Sequence, residues 1–82
     1  MEEQIQTVAQ LAKELGAENF CFKSDYSSKD SRYWYIIYLY FDGYTSNAYD
    51  FDFNSCLVAV AEKAKADKEG ILKTASKLLQ HA

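Results

Sequence analysis

The segment RYWYIIYLYFDGYTSNAYDFDF, residues 32–53, holds ten of the chain's thirteen aromatic side chains. Its first part, Arg32 to Phe41, is β-branched or aromatic almost throughout, a composition that suits an extended strand. A strand shows alternate side chains on two faces. Both faces here are apolar or aromatic. One face is enough for a core, so the other is surplus, and what covers it bears on fold and function alike.

Asp42-Gly43 ends this strand with the strongest hairpin signal in the sequence. The next strand is expected from about Thr45 to Phe53. Upstream, Asn19–Lys23 reads as a short strand with Phe20 and Phe22 on one face and Cys21 and Lys23 on the other. DYSSKDS, residues 25–31, reads as a polar linker rich in turn formers.

Helices flank the strands. Ile5, Val8, Ala12 and Leu15 recur at spacings of three and four over residues 3–15, widened by Ala9 and Leu11. Glu2 and Glu3 suit the positive end of that helix, and Gly16 suits its stop. Asn54 or Ser55 is placed to cap a second helix with the stripe Leu57, Val60, Ala61 and Ala64. Ile71, Leu72, Ala75, Leu78 and Leu79 outline a third. One unbroken helix over residues 55–80 would be roughly 39 Å long, in a chain whose expected radius of gyration is about 12 Å. Asp67 is a good cap and Gly70 costs a helix about 1 kcal/mol, so a break is expected near Ala66–Asp67. The expectation is one α+β domain over residues 1–82: a three-stranded antiparallel meander with helices packed on one face, in the order α-β-β-β-α-α.

Hairpin register decides which aromatics are surplus. A two-residue Asp42-Gly43 turn pairs Phe41 with Tyr44, Ile37 with Ala48 and Tyr35 with Asp50. A three-residue loop ending on Gly43 as a bulge glycine pairs Tyr40 with Tyr44. The second register sorts apolar from charged better and sets Arg32 opposite Asp52, a pair worth about 0.2–1 kcal/mol. It is preferred. The core then holds Tyr33, Tyr35, Ile37, Leu39, Tyr49, Phe51 and Phe53. Trp34, Ile36, Tyr38, Tyr40 and Tyr44 gather beside Asp50 and Asp52 on the wetter face. Tyr and Trp beside carboxylates are the residue mix of interface cores and rims. The candidate partner-binding residues are therefore Trp34, Tyr38, Tyr40, Asp42, Tyr44, Asp50 and Asp52.

Charge narrows the partner. The net charge of −3 divides into −5 over residues 1–53 and +2 over residues 54–82. Such a chain is poorly equipped to track a phosphate backbone, which needs clustered Lys and Arg. Its acidic part suits a basic partner. Chemistry is absent from the pattern. Three glycines make no phosphate-cradling motif. His81 is penultimate, and no other histidine stands ready to activate Cys21 or Cys56. One His and two Cys without CxxC or HxxxH spacing give no metal site. No enzyme activity, cofactor or metal is expected. No apolar run approaches the ~20 residues of a membrane span. The first ten residues lack a secretory signal's basic start and apolar stretch, so the expected location is the cytoplasm.

The order α-β-β-β-α-α in a small acidic chain resembles that of some phage-encoded anti-CRISPR proteins. The likeness lies in element order, and it implies an inhibitor that fills a basic nucleic-acid channel with carboxylates and aromatics. Asp25 and Asp30 would add to such mimicry. The order α-β-β-β-α is also similar to that of double-stranded-RNA-binding domains. Those carry a lysine cluster where the helix after the sheet begins; here that start is Asn54-Ser55-Cys56-Leu57-Val58, with no cation before Lys63. The leading expectation is a non-catalytic module that binds a partner protein through the aromatic and acidic sheet face. An RNA- or DNA-binding domain and a homodimer joined through that face are the alternatives.

Overall fold

The structure is a computed structural model. It describes residues 2–80, with the backbone alone at residues 75 and 78–80. His81, and the side chains of Ala75, Leu78 and Leu79 in the expected third stripe, lie outside the described residues. The order is α1 (Glu2–Leu15), β1 (Asn19–Ser27), β2 (Arg32–Phe41), β3 (Tyr44–Asp50) and α2 (Phe53–Gln80). The fold is α+β, with one antiparallel sheet ordered β1-β2-β3.

α1 forms as its spacing predicts and buries Val8 and Ala12. Gly16 ends it at φ +79°, a conformation costly for residues with a Cβ. The backbone N–H groups of Gly16 and Ala17 turn back to the carbonyls of Lys13 and Ala12, at 3.2 and 2.8 Å. β1 runs four residues beyond its expected end. The long β2 offers it a partner all the way from Asn19↔Tyr40 to Ser27↔Arg32. The turn formers therefore act only at residues 28–31, where Ser31 adopts φ +56°.

The β2–β3 register is the two-residue one. Phe41 pairs with Tyr44, Leu39 with Ser46, Ile37 with Ala48 and Tyr35 with Asp50. Gly43 takes φ +88°, whereas Asp42 is not among the positive-φ residues, the pattern of a type II turn. The preferred three-residue loop is thus corrected. It would carry Ser46 to the outer face and bring Thr45 and Asn47 inward. In the structure Ser46 and Ala48 reach the core, and Thr45 and Asn47 stay exposed. The expected Arg32–Asp52 pairing lies outside the β2–β3 ladder, which ends at Tyr35↔Asp50.

Both helices pack on one face. Val8 and Ala12 of α1 meet Ile37 and Leu39 of β2 and Cys56, Val60 and Ala64 of α2. Phe22, Tyr35 and Phe53 extend this core as a ring cluster: Phe53 stands edge-on to each of the other two at 5.6 Å. Of the seven expected core residues, Ile37 and Leu39 are fully buried and Tyr35 and Phe53 pack against them. Tyr33 sits edge-to-face with Tyr26 at the far end of the sheet, 56% exposed. Tyr49 and Phe51 lie elsewhere, as shown below.

The break expected near Asp67 does not occur. α2 runs unbroken for 28 residues, about 42 Å at helical rise. The molecule is accordingly elongated, 54 × 25 × 16 Å, with a radius of gyration of 15.1 Å. Asp67 does not cap a helix, because its carboxylate accepts the hydroxyl of Ser46 from β3 at 2.6 Å. That bond ties mid-helix to the sheet at the place where a break was expected. Gly70 remains helical, since one glycine's cost of about 1 kcal/mol is small beside propagation through Lys, Glu, Ala and Leu neighbours. No described helix is long and apolar enough to cross a membrane.

Candidate functional site

Alternation puts Arg32, Trp34, Ile36, Tyr38 and Tyr40 of β2 on the face opposite the helices. Register adds Thr45, Asn47 and Tyr49 from β3, and Cys21, Lys23 and Asp25 from β1. The question posed by the surplus face has a direct answer here. The core unites both helices with the Ile37/Leu39 face, and no described element packs on the other.

Two aromatic groups order this surface. Tyr38 and Tyr40 stack with centroids 6.3 Å apart and planes 10° from parallel. At the other end Trp34 tilts against Tyr49 at 6.3 Å, and Tyr49 meets Phe51 edge-on at 5.5 Å. The Arg32 guanidinium carbon lies 3.8 Å from the Phe51 ring centre, a cation–π contact. Ile36, paired with Tyr49, lies along β2 between the two groups. Tyr40 is 38% and Tyr49 54% exposed. Rings that rest on one another surrender little side-chain entropy when a partner covers them.

The candidate residues divide. Trp34, Tyr38 and Tyr40 occupy the outer face as expected. Tyr44 does not: it lies on the helix side, stacked on Phe41 at 4.7 Å. Asp42 is exposed in the turn, two residues beyond Tyr40. Asp50 pairs with Tyr35 on the helix side, and its Oδ1 accepts the N–H of Asp52 at 2.9 Å. Asp52 caps α2. Its carbonyl accepts the N–H of Cys56 at 3.0 Å, and its Oδ2 accepts both the N–H and the hydroxyl of Ser55, at 2.9 and 2.8 Å. The Ser55 backbone and side-chain bonds hold the Asp52 carboxyl below its usual range. Asn54 and Ser55, the expected caps, thus sit inside the first turn.

This correction has one cause. The two-residue turn shifts β3 by one residue relative to the preferred register, and a one-residue shift exchanges its faces. Tyr49 joins the outer face, with Phe51 just beyond the strand end, and Asp50 leaves it. The three-residue register, preferred for its sorting of charge, puts Tyr49 and Phe51 in the core; the observed pairing does not. Counting two loop residues from Asp42-Gly43 would have found Tyr49.

Charge on the outer face is correspondingly changed. Lys23 and Arg32 stand with Asp25 among its strand residues, so the face is aromatic with a weakly positive rim. The surface has apolar anchors and hydrogen-bonding phenols. Among the described residues no three His, Cys, Asp or Glu side chains gather to hold a metal ion. Comparison with protein-family models, curated proteins and solved structures finds no match to this chain.

Proposed function

We propose that the chain is a non-catalytic interaction module that binds a partner protein through the outer face of its sheet. The observation that carries this reading is a sheet with a complete core on one side and ordered aromatics on the other. Trp34, Tyr38, Tyr40 and Tyr49 form the contact centre. Each large aromatic buries ~150–250 Å² when fully covered, so four approach or exceed the largest apolar patch of an ordinary monomer, about 300–600 Å². Tyr and Trp dominate binding energetics where a partner excludes water from them.

The partner contributes an apolar patch with acceptors for the tyrosine hydroxyls and the Lys23 and Arg32 cations. A nucleic-acid mimic needs carboxylates spaced among the rings, and Asp50 and Asp52 are engaged at the start of α2. Support for mimicry is therefore confined to the net charge of −3 and to Asp25, Asp30 and Asp42. The general module is the better-supported form.

Quantitative affinity capture tests it, with bound proteins identified and their affinities measured on purified components. Tyr38→Ala with Tyr40→Ala is expected to weaken the specific complex about 30-fold or more, the scale of a 2 kcal/mol hot spot. Val58→Ala on the exposed side of α2 serves as the control. Equal affinity of wild type and the double tyrosine variant would refute the assignment of this face.

A further inference from the structure

Backbone direction settles what each edge of the sheet offers. In a two-residue hairpin the closing pair exchanges both of its hydrogen bonds. Phe41↔Tyr44 is that pair, so Tyr44, Ser46, Ala48 and Asp50 turn their N–H and C=O groups to β2. Thr45, Asn47 and Tyr49 turn theirs outward. On the other side the Tyr40 carbonyl accepts the N–H of Glu18 at 2.8 Å, which makes Phe20, Phe22, Ser24 and Tyr26 the outward set of β1.

The two edges differ. At both ends of β1 an outward N–H is already engaged: Phe20 donates to Asn19 Oδ1 at 2.9 Å, and Tyr26 to Asp25 Oδ1 at 2.8 Å. Such local bonds close an edge to a further strand. In the middle of β3 the side-chain bonds run instead from Ser46 to Asp67 and from Lys63 to Asn47. They leave the outward N–H groups of Thr45, Asn47 and Tyr49 without a partner among the described residues. Beside this open edge a groove of about 770 Å³ lies between Tyr44 and Thr45 of β3 and Lys63, Ala66, Gly70 and Ile71 of α2. Ala66 and Gly70 are small, and a Cβ on Gly70 would meet nothing within 4 Å, so side chains of an added strand have room there.

Charge selects the occupant. The exposed Lys63 ammonium reaches the centre of the edge, and its only hydrogen-bond partner among the described residues is the neutral Asn47 amide, at a long 3.4 Å. Lys73 and Lys77 each stand seven residues beyond Ala66 and Gly70, about 20° from them on the same side of α2. Glu62 and Glu69 lie further round the helix, away from β3, and Asp67 is engaged by Ser46. A second copy paired through its own β3 and centred on Asn47 would bring two Lys63 ammonium groups together at the twofold axis.

We propose that the β3 edge takes an extended acidic segment of a partner protein as a fourth strand. The segment's backbone bonds to Thr45, Asn47 and Tyr49 over about 17 Å. Alternate side chains enter the groove and are small and apolar. Those between lie on the outer face and include a carboxylate that takes the Lys63 ammonium from Asn47. This contact goes beyond the sheet-face reading and does not rest on it, because its bonds are made by the β3 backbone.

Selection of a displayed library of random heptapeptides on the full chain tests it, followed by synthesis of the enriched peptides. The expected peptides place Asp or Glu between small apolar residues and slow amide exchange at Thr45, Asn47 and Tyr49. N-methylation of the peptide at residues that bond to β3 is expected to weaken binding about tenfold or more, and at the intervening residues to leave it intact. Lys63→Glu is expected to weaken binding by a similar factor. So is Asn47→Pro, which removes an outward N–H that β2 does not use. Tyr38→Ala with Tyr40→Ala is expected to keep the peptide bound, so failure of this contact and failure of the sheet face are read apart. The proposal is overturned if no peptide is enriched, if protection falls elsewhere, or if N-methylation shows no alternation. Tighter binding by Lys63→Glu overturns it as well, since Lys63 would then guard the edge. So does a dimer that protects Thr45, Asn47 and Tyr49 without any peptide.

Discussion

Replacing Asp67 by alanine leaves the hydroxyl of Ser46 fully buried with its acceptor gone. A buried donor without a partner costs about 1–3 kcal/mol. Alanine is the better helix former by up to about 0.7 kcal/mol, so propensity acts in the opposite direction and the measured loss is net of it. A domain of this length has roughly 4–12 kcal/mol of stability, and each kcal/mol corresponds to about 4–8 °C in Tm. A loss of about 1–2 kcal/mol is therefore a fall of roughly 5–15 °C. Ser46→Ala is expected to cost less, about 0.5–1.5 kcal/mol, because Asp67 is only half-buried and regains water. In urea titrations of wild type, both single variants and the double variant, Asp67→Ala should cost much less when residue 46 is alanine. A coupling of about 1–2 kcal/mol is expected. Asp67→Asn keeps an acceptor oxygen and is expected to retain most of the stability. Equal costs of Asp67→Ala on the two backgrounds would refute the reasoning, and with it the account of why α2 continues through residue 67.

Two further outcomes follow from the core and the helix. Cys56 is fully buried, and desolvation above all, reinforced by the negative charge of Asp50, raises its pKa. The fold thus favours the neutral thiol: this contribution is intact below the unfolded pKa of about 8.5 and is lost as pH rises toward the folded value. Unfolding titrations should show a steeper decline above that pH for wild type than for Cys56→Ala, and native alkylation should mark Cys21 while sparing Cys56. Gly70→Ala meets nothing within 4 Å and sits in a helical interior, so a gain of about 0.5–1 kcal/mol in helix stability is expected, read as increased helicity and reduced amide exchange around residue 70.

Local chemistry made most elements legible. The spacing of Ile5, Val8, Ala12 and Leu15 marked α1, and Gly16 marked its stop. Aromatic and β-branched density marked β2, and Asp42-Gly43 marked the turn that follows it. These signals arise from nearest neighbours in the chain, so they survive without knowledge of the fold. The far end of β1 was less legible, because Ser24, Asp25 and Ser27 are turn formers that become strand only when Arg32–Tyr35 lie alongside.

The candidate surface was legible in part. Trp34, Tyr38 and Tyr40 follow from alternation along one strand, whichever way β3 pairs. Tyr49, Asp50 and the position of Ser46 depend on a single loop residue, and charge sorting favoured the wrong count. It treated Asp50 and Asp52 as residues seeking water on a sheet face. Their carboxylates instead satisfy backbone N–H groups where β3 turns into α2, an option that exists only once the helix begins at Phe53.

The sequence by itself determined the α+β class, the meander and the existence of a second aromatic face, because periodicity and turn chemistry act over a few residues. Tertiary structure decided which face β3 turns inward and whether Asp67 ends a helix. Both depend on partners distant in the chain: Ile37 and Leu39 with Ser46 and Ala48 across the ladder, and Ser46 with Asp67 from sheet to helix. Those contacts exist only after the chain has closed on itself.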